Sequence, residues 1–510
     1  MSSLRVTNSK RNAIVSCMGQ LLNFFIKFVL RTIFVYTLGK EYLGINGLFT
    51  NLLTFLSLAE LGIGTAITCN LYKPLEENNK NEIRALMGFY QKAYLLIALF
   101  VGTVGILLTP FLQFFIKEMP QNIPNIRLIY VLFVLNSAFS YLWSYKGTLI
   151  SADQKDRVVT LNRYIFTVLG VVLQIIVLYI YHSYIGFLVI QLSITILQNI
   201  SISIIADMLY PYLRDKTKDV LSSITKKQIY DNTSALMFHN VGNVIVFSTD
   251  NILLSKMFGL DIVGLYANYS LIISSIETMY RSLFSAIMGS VGNLKVSTDK
   301  EHQEVVYYRV LFINYVIVSY CVSAFMIVVE PFINVWVGKQ YLLGYSIVIA
   351  LGINCYIKGM RQSTIMFNSA YGLYVHYRYM PIPEVLINII VSVILAKLVG
   401  PVGVFLGTII SSVFTCVWKE PSVLLKNGFG CGIKNYWKKY IKYLVVVATI
   451  NVIAFAIVAL IQLNNQIIEI IARLMICTLV YIILNALLFK NEDEYKYIIS
   501  LIKSLEKSKV

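Results

Sequence analysis

Residues 247–271 read FSTDNILLSKMFGLDIVGLYANYSL, and within them GLDIVG (259–264) has the form of GKEYLG (39–44): glycine, any residue, an acid, any residue, an aliphatic, glycine. The two stretches stand 220 positions apart. Ser151-Ala152 and Ser369-Ala370 match at an offset of 218, and the turns YIGF (184–187) and PVGV (401–404) at 217. Three turns at nearly constant spacing predict two copies of one helical unit. The same quoted stretch holds a carboxylate, Asp250, inside an apolar run, which a fold in water does not ask for.

The solvent follows from composition. The chain is 57% hydrophobic and 14% charged, with a mean hydropathy of +0.70, whereas a soluble domain carries about 25% charged residues. A membrane-spanning helix needs about 20 mostly apolar residues. Such stretches fall at 12–38, 42–68, 86–112, 126–149, 158–181, 184–208, 229–257, 262–290, 306–337, 341–370, 380–399, 401–418, 440–461 and 466–489. The expected fold is therefore all-α and integral to the membrane, with about fourteen transmembrane helices. Spans 1–6 and 7–12 form two parallel six-helix repeats around a central cavity, related by a pseudo-two-fold axis along the membrane normal, and spans 13 and 14 are added. The expected segments are an N-terminal lobe at 1–208, a cytoplasmic linker at 209–228, a C-terminal lobe at 229–418, and a basic loop, two helices and a tail at 419–510.

Lysine and arginine set the orientation. Among the loops on one side only Lys40, Lys117, Arg127 and Lys339 are basic, while the other side holds YLRDKTKD (212–219) and KNYWKKYIK (434–442). Both termini are expected in the cytoplasm, and the net charge of +17 is explained by an inner face beside anionic lipid. Nucleic acid is not an expected partner. No cleavable signal peptide is read at the start, because the first span carries Lys27 and Arg31 and lacks a small-residue cleavage pattern. Seven cysteines lie scattered without metal-like or redox-like spacing, so no metal site and no cofactor is expected.

Polar residues recur at helical spacing on the spans that the repeat pairs. Span 1 carries Gln20, Asn23, Lys27 and Arg31, and span 7 carries His239, Asn243 and Asp250; span 2 carries Asn46, Thr50 and Glu60, and span 8 carries Ser270, Glu277 and Arg281. A charge near the bilayer centre costs at least about 2.5–3.5 kcal/mol, so these faces are expected to look into a water-filled cavity. Lys27 and Arg31 are like charges four apart, unfavourable unless they share an anion. Lys358 and Arg361 extend a basic wall or pair locally. Glu277 with Arg281, and Asp250 with Lys256, have a structural reading as ion pairs, and Glu330 with Pro331 reads as a cap or kink. Catalysis finds no support: there is no Ser/His/acid arrangement, no Gly-rich phosphate loop and no D-x-D pair, and the outer loops are too short for a glycan polymerase.

The segments NVIVFSTDNILLSKMFGLDIVGLYANYSLI (243–272) and LGKEYLGINGLFTNLLTFLSLAELGIGTAI (38–67) resemble those of Wzx-type polysaccharide-export flippases, in the multidrug/oligosaccharidyl-lipid/polysaccharide exporter superfamily. The resemblance implies a bacterial cytoplasmic-membrane protein that moves undecaprenyl-diphosphate-linked oligosaccharide to the outer leaflet by alternating access, for capsule, exopolysaccharide or another surface glycan. It implies a cationic cavity of spans 1, 2, 7 and 8, with Lys27, Arg31 and Arg281 as phosphate binders, and Gln20, Asn23, Asn46, Thr50, Asn243 and Ser270 replacing sugar hydration. Asp250, one position from the repeat equivalent of Arg31, becomes a charge switch or a coupling-ion site with Glu60, Glu277 and His239, driven by a Na+ or H+ gradient. Membrane lipids and a polysaccharide polymerase complex are the expected partners. Two other readings stand beside it, a drug exporter of the same superfamily and a membrane glycan polymerase.

Overall fold

The computed structural model describes residues 25–60, 63–120, 122–214, 248–461, 463 and 465–507. Every regular element among them is helical. Helix α1 covers 25–38, followed by α2 (Lys40–Leu56), α3 (Ile63–Glu76), α4 (Lys80–Leu107), α5 (Ile126–Tyr141), α6 (Ser144–Ala152), α7 (Asp156–Tyr181) and α8 (Tyr184–Leu209). After the undescribed stretch come α9 (248–258), α10 (Leu260–Ser297), α11 (Lys300–Trp336), α12 (Tyr345–Ala370), α13 (Pro381–Val399), α14 (Val402–Phe414) and α15 (Cys416–Val423). The chain ends with α16 (Lys434–Ala459), α17 (Gln466–Phe489) and α18 (Asp493–Lys507).

The expected spans fall mostly on helix where they are described, with breaks such as the turn at 142–143 and the non-helical 342–344, and nine helices among the described residues are long and apolar enough to cross a membrane. Helices α10 and α12 are long but fall outside those nine. Their polar residues, including Glu277, Arg281, Lys358 and Arg361, lower the mean hydropathy.

The turns that gave the repeat signal fall at corresponding helix junctions. Gly39 (φ 83°) links α1 to α2 and Gly259 (φ 97°) links α9 to α10, both in the region that favours glycine. His182 (φ 48°) and Gly400 (φ 75°) end α7 and α13. Ala152 and Ala370 end α6 and α12.

The chain divides into two compact units, Met1–Gly264 and Leu265–Val510. The boundary falls in the first turns of α10, whereas the sequence placed it at 209–228, of which 215–228 lies outside the described residues. The start of α10 belongs to the first unit because it packs backbone to backbone on α2, as described below.

In the first unit, α3, α4, α6 and α8 enclose an apolar core that includes Ile67, Leu71, Leu86, Tyr90, Leu149 and Ile202. Helix α4 is started by Asn79, whose side chain accepts from Glu82 N (3.2 Å) and donates to the Glu82 carboxylate (3.1 Å).

The second unit shows how apolar helices hold together without a hydrophobic drive between them. α13 and α14 meet through Gly403 and Gly407, a G-x-x-x-G pair on α14; a Cβ at Gly407 would lie 2.1 Å from Ser392 Oγ and one at Gly403 2.2 Å from the Leu395 carbonyl carbon. Helices α16 and α17 are fixed to α11 by a seam of polar contacts: Tyr315 to Asn485 (2.9 Å), Ser319 to Tyr481 (2.8 Å), Tyr320 to Thr478 (3.0 Å) and Asn451 to Ser323 (3.0 Å). These last two spans thus have a packing role against α11. Glu330 caps the next helix, as its sequence context suggested: its carboxylate accepts from Gly344 N (3.1 Å) and from the Tyr269 hydroxyl (2.8 Å).

Candidate functional site

In the first unit, α1 presents Lys27 on its surface and Arg31, one turn on, half-buried. Arg31 lies within electrostatic reach of the Tyr184 hydroxyl, which accepts a hydrogen bond from Asn46 Nδ2 at 3.2 Å. Phe34 and Tyr42 pack edge-on against the Tyr184 ring (5.6 and 5.2 Å between centroids). Thr50 donates to the Asn46 carbonyl (2.7 Å) from an exposed position. Arg31 and Asn46 are therefore gathered around the first residue of α8, with Thr50 one turn beyond Asn46. Sequence reasoning used Tyr184 only as part of the YIGF turn, and no local signal tied it to Asn46.

Glu60 lies close to the hydroxyls of Tyr94 and Tyr141. Asp250 is buried on α9, 5% exposed. Gln20, Asn23, His239 and Asn243 lie outside the described residues. An ion pair that the sequence did not suggest joins Lys146 on α6 to Asp207 on α8 at 2.7 Å, with Ser203 accepting from the same ammonium at 2.8 Å.

In the second unit, Ser270 is half-buried on α10, and Glu277 lies two turns further along the same helix. Its carboxylate is held between Lys358 (3.1 Å) and Arg281 (3.7 Å). Two cations flank one acid. Arg281 remains 57% exposed in that arrangement, so among the described pairings two cations meet one acid and one guanidinium stays accessible.

Arg361 goes elsewhere. Three residues turn a helix by about 300°, which is enough to aim Lys358 at α10 and Arg361 at α15. Arg361 forms a two-point pair with Glu420 (Nε to Oε2 2.9 Å, Nη2 to Oε1 2.6 Å) and lies 3.9 Å from Glu384. Glu384 also accepts from Ser412 (3.1 Å) and Cys416 (3.0 Å). The guanidinium that the sequence joined to a basic wall is thus engaged by two buried carboxylates of its own unit.

A further contact lies wholly within the first unit. Gly44 and Gly264 occupy equivalent places in the repeated motif, and their contacts are reciprocal: a Cβ at Gly44 would lie 2.1 Å from the Leu260 carbonyl oxygen, and one at Gly264 2.2 Å from that of Lys40. Beside them Lys40 pairs with Asp261 at 2.6 Å, both side chains about half exposed (44% and 49%). Only glycine allows the first turns of α2 and α10 to approach this closely.

Outside the spans, Cys431 follows the helical segment that ends at Phe429 and donates its thiol to Glu304 (3.1 Å). Burial, then the adjacent carboxylate, pushes this thiol up to about 12. The thiolate is the reactive form, so Cys431 is expected to resist alkylation at pH 8 and to react only as the pH approaches that value. Glu304→Gln removes the charge that opposes ionisation and is expected to speed labelling at pH 8, measured by mass spectrometry of the peptide.

Known proteins give the arrangement a family. Residues 9–288 match the family described as polysaccharide biosynthesis protein. Among curated proteins none matches. The fold is similar to that of the structure titled lipid II flippase MurJ, inward closed conformation, with a TM-score of 0.65 at 14% identity over 94% of this chain and 99% of that one. It is also similar to an inward-facing multidrug resistance MATE family transporter of the MOP superfamily, with a TM-score of 0.54 at 15% identity over 82% and 99%. A third likeness is to the MATE multidrug transporter DinF-BH, with a TM-score of 0.56 at 14% identity over 83% and 95%. With more than half of its length matched, the chain belongs to the polysaccharide biosynthesis protein family, and its fold is the all-helical one shared by these flippase and exporter structures.

Proposed function

We propose that the protein carries an undecaprenyl-diphosphate-linked oligosaccharide from the cytoplasmic to the outer leaflet of a bacterial cytoplasmic membrane by alternating access, supplying capsule, exopolysaccharide or another surface glycan. The observation that carries this reading is the sign of the charge on the polar helices. Glu277 is outnumbered by Arg281 and Lys358, and Lys27 and Arg31 repeat like charge one turn apart. A lipid diphosphate brings about two negative charges, and arginine forks match phosphate oxygens in two-point geometry. Asn46, Thr50 and Ser270 offer hydrogen bonds to sugar hydroxyls. The family membership and the flippase-like fold support the same cargo class. Asp250 is the proposed charge switch or coupling-ion residue for a Na+ or H+ gradient. A polymerase complex that receives the flipped unit is the proposed partner.

The drug-exporter reading draws on the same fold, but its cationic substrates would meet Arg31, Arg281 and Lys27 with the wrong sign. The test is lipid extraction and mass spectrometry of a deletion strain, with a probe of the leaflet that the sugar faces. An inward-facing diphosphate-linked unit is expected to accumulate, and wild type is expected to clear it. Loss of a hydrogen bond to a charged group costs about 1.5–3 kcal/mol, so Arg31→Ala is expected to slow clearance by about tenfold to a hundredfold. No accumulation, with surface glycan intact, would favour the exporter.

A further inference from the structure

A cavity of about 590 Å3 opens between the first turns of α11, the first turn of α16 and helix α18. Arg309, Lys439 and Lys496 contribute cations to its wall, Asn435 and Ser500 neutral polar groups, and Asp493 and Glu494 acids. Lys439 is taken up by Glu494 at 2.7 Å. Arg309 is not: its guanidinium stacks over the Tyr497 ring at 4.5 Å, and no carboxylate pairs with it among the described residues. Lys496 is 61% exposed and only loosely associated with Asp493 (3.6 Å). Around this mouth Lys434, Lys438 and Lys490 add exposed charge.

We propose that this cavity binds the phosphate headgroup of an anionic phospholipid of the inner leaflet. Its position argues for a lipid over a soluble phosphate. Helix α17 ends at Phe489 and α18 begins at Asp493, so the cavity lies where the spans leave the apolar layer. Tyr308 and Tyr497 in its wall have the amphipathic form favoured at that depth. Directly along α16 from the cavity, Ile441, Leu444 and Val445 are exposed (54%, 45% and 57%), offering an apolar track for acyl chains. Each basic side chain near an anionic surface contributes about 1 kcal/mol. A stacked arginine held ready by Tyr497 adds a two-point phosphate contact at little cost in side-chain order. The amphipathic α18, tied to α16 by Lys439–Glu494 and, just before its first residue, by Lys442–Glu492 (2.6 Å), would also be held to the membrane through this headgroup.

This inference does not depend on what the protein transports, and binding alone tests it. The full chain in neutral detergent is heated with equal amounts of phosphatidylglycerol, phosphatidylcholine or inorganic phosphate. Phosphatidylglycerol is expected to raise the unfolding midpoint above both other additions. Arg309→Gln is expected to weaken its apparent affinity by about tenfold, and Lys496→Gln, an exposed change that leaves folding intact, by about threefold. Equal effects of the two lipids would overturn the proposal, as would inorganic phosphate reproducing the shift. A phosphatidylglycerol effect unchanged in Lys496→Gln and in Arg309→Gln would also overturn it by placing the lipid elsewhere. If Arg309→Gln fails to fold, Arg309→Lys keeps the charge but loses the stacked fork, and an unchanged affinity in that variant together with Lys496→Gln has the same consequence.

Discussion

Arg361→Leu is expected to unfold the second unit at a much lower temperature than wild type, with a loss of about 3–5 kcal/mol. That is the range for breaking a buried ion pair by removing one partner. The size follows from what is left behind. Glu420 is 4% exposed and Glu384 5% at their side chains, so neither carboxylate can turn to bulk water when the guanidinium goes. Glu384 keeps its bonds from Ser412 and Cys416, whereas both Glu420 oxygens lose their partner. The damage is therefore concentrated on Glu420. Removing both members of a buried pair in favour of apolar side chains is often neutral, so Arg361→Leu combined with Glu420→Leu is expected to recover most of the loss. Thermal unfolding of purified protein in mild detergent measures both. A single variant as stable as wild type would show that the pair contributes little, and would return Arg361 to the basic residues available for a substrate.

This pair also shows where sequence reasoning stopped. The all-helical membrane class and the equivalent glycine turns were legible because each rests on a local or periodic property: apolar length, and a short motif repeated at constant spacing. The partner of a charged side chain is not periodic. Lys358 and Arg361 are three apart and look like one basic feature, yet a rotation of about 300° along α12 sends them to different helices. Glu420 could be matched to Arg361 only once α12 and α15 were packed together. Conversely, Glu277 and Arg281 were readable as a helical pair from their spacing of four, but the third member, Lys358, was not. Tyr184 was hidden for the same reason, since its contact with Asn46 joins positions 138 apart.

The glycine contact carries the other large prediction. Gly44→Ala adds a single methyl group, and on most helix surfaces that change is stabilising or neutral. Here the methyl would stand 2.1 Å from a backbone carbonyl oxygen, which cannot swing aside as a side-chain tip can. The first turns of α2 and α10 must separate, and the pair Lys40–Asp261 must stretch with them. Overpacking of this kind costs about 1–3 kcal/mol, and a backbone obstacle places it at the upper end. The exposed ion pair contributes less, under about 1 kcal/mol, so Lys40→Ala is expected to be mild where Gly44→Ala is severe. Because the contact is reciprocal, Gly264→Ala should match Gly44→Ala in its effect. The measurements are the unfolding midpoint in detergent and the restoration of surface glycan in a deletion strain. Loss in both glycine variants, with Lys40→Ala near wild type, would assign the closure of these turns to backbone contact and not to charge. Glycine variants that behave as wild type would mean that α2 and α10 do not hold this approach in the membrane. The duplicated motif would then record ancestry alone, without a working contact.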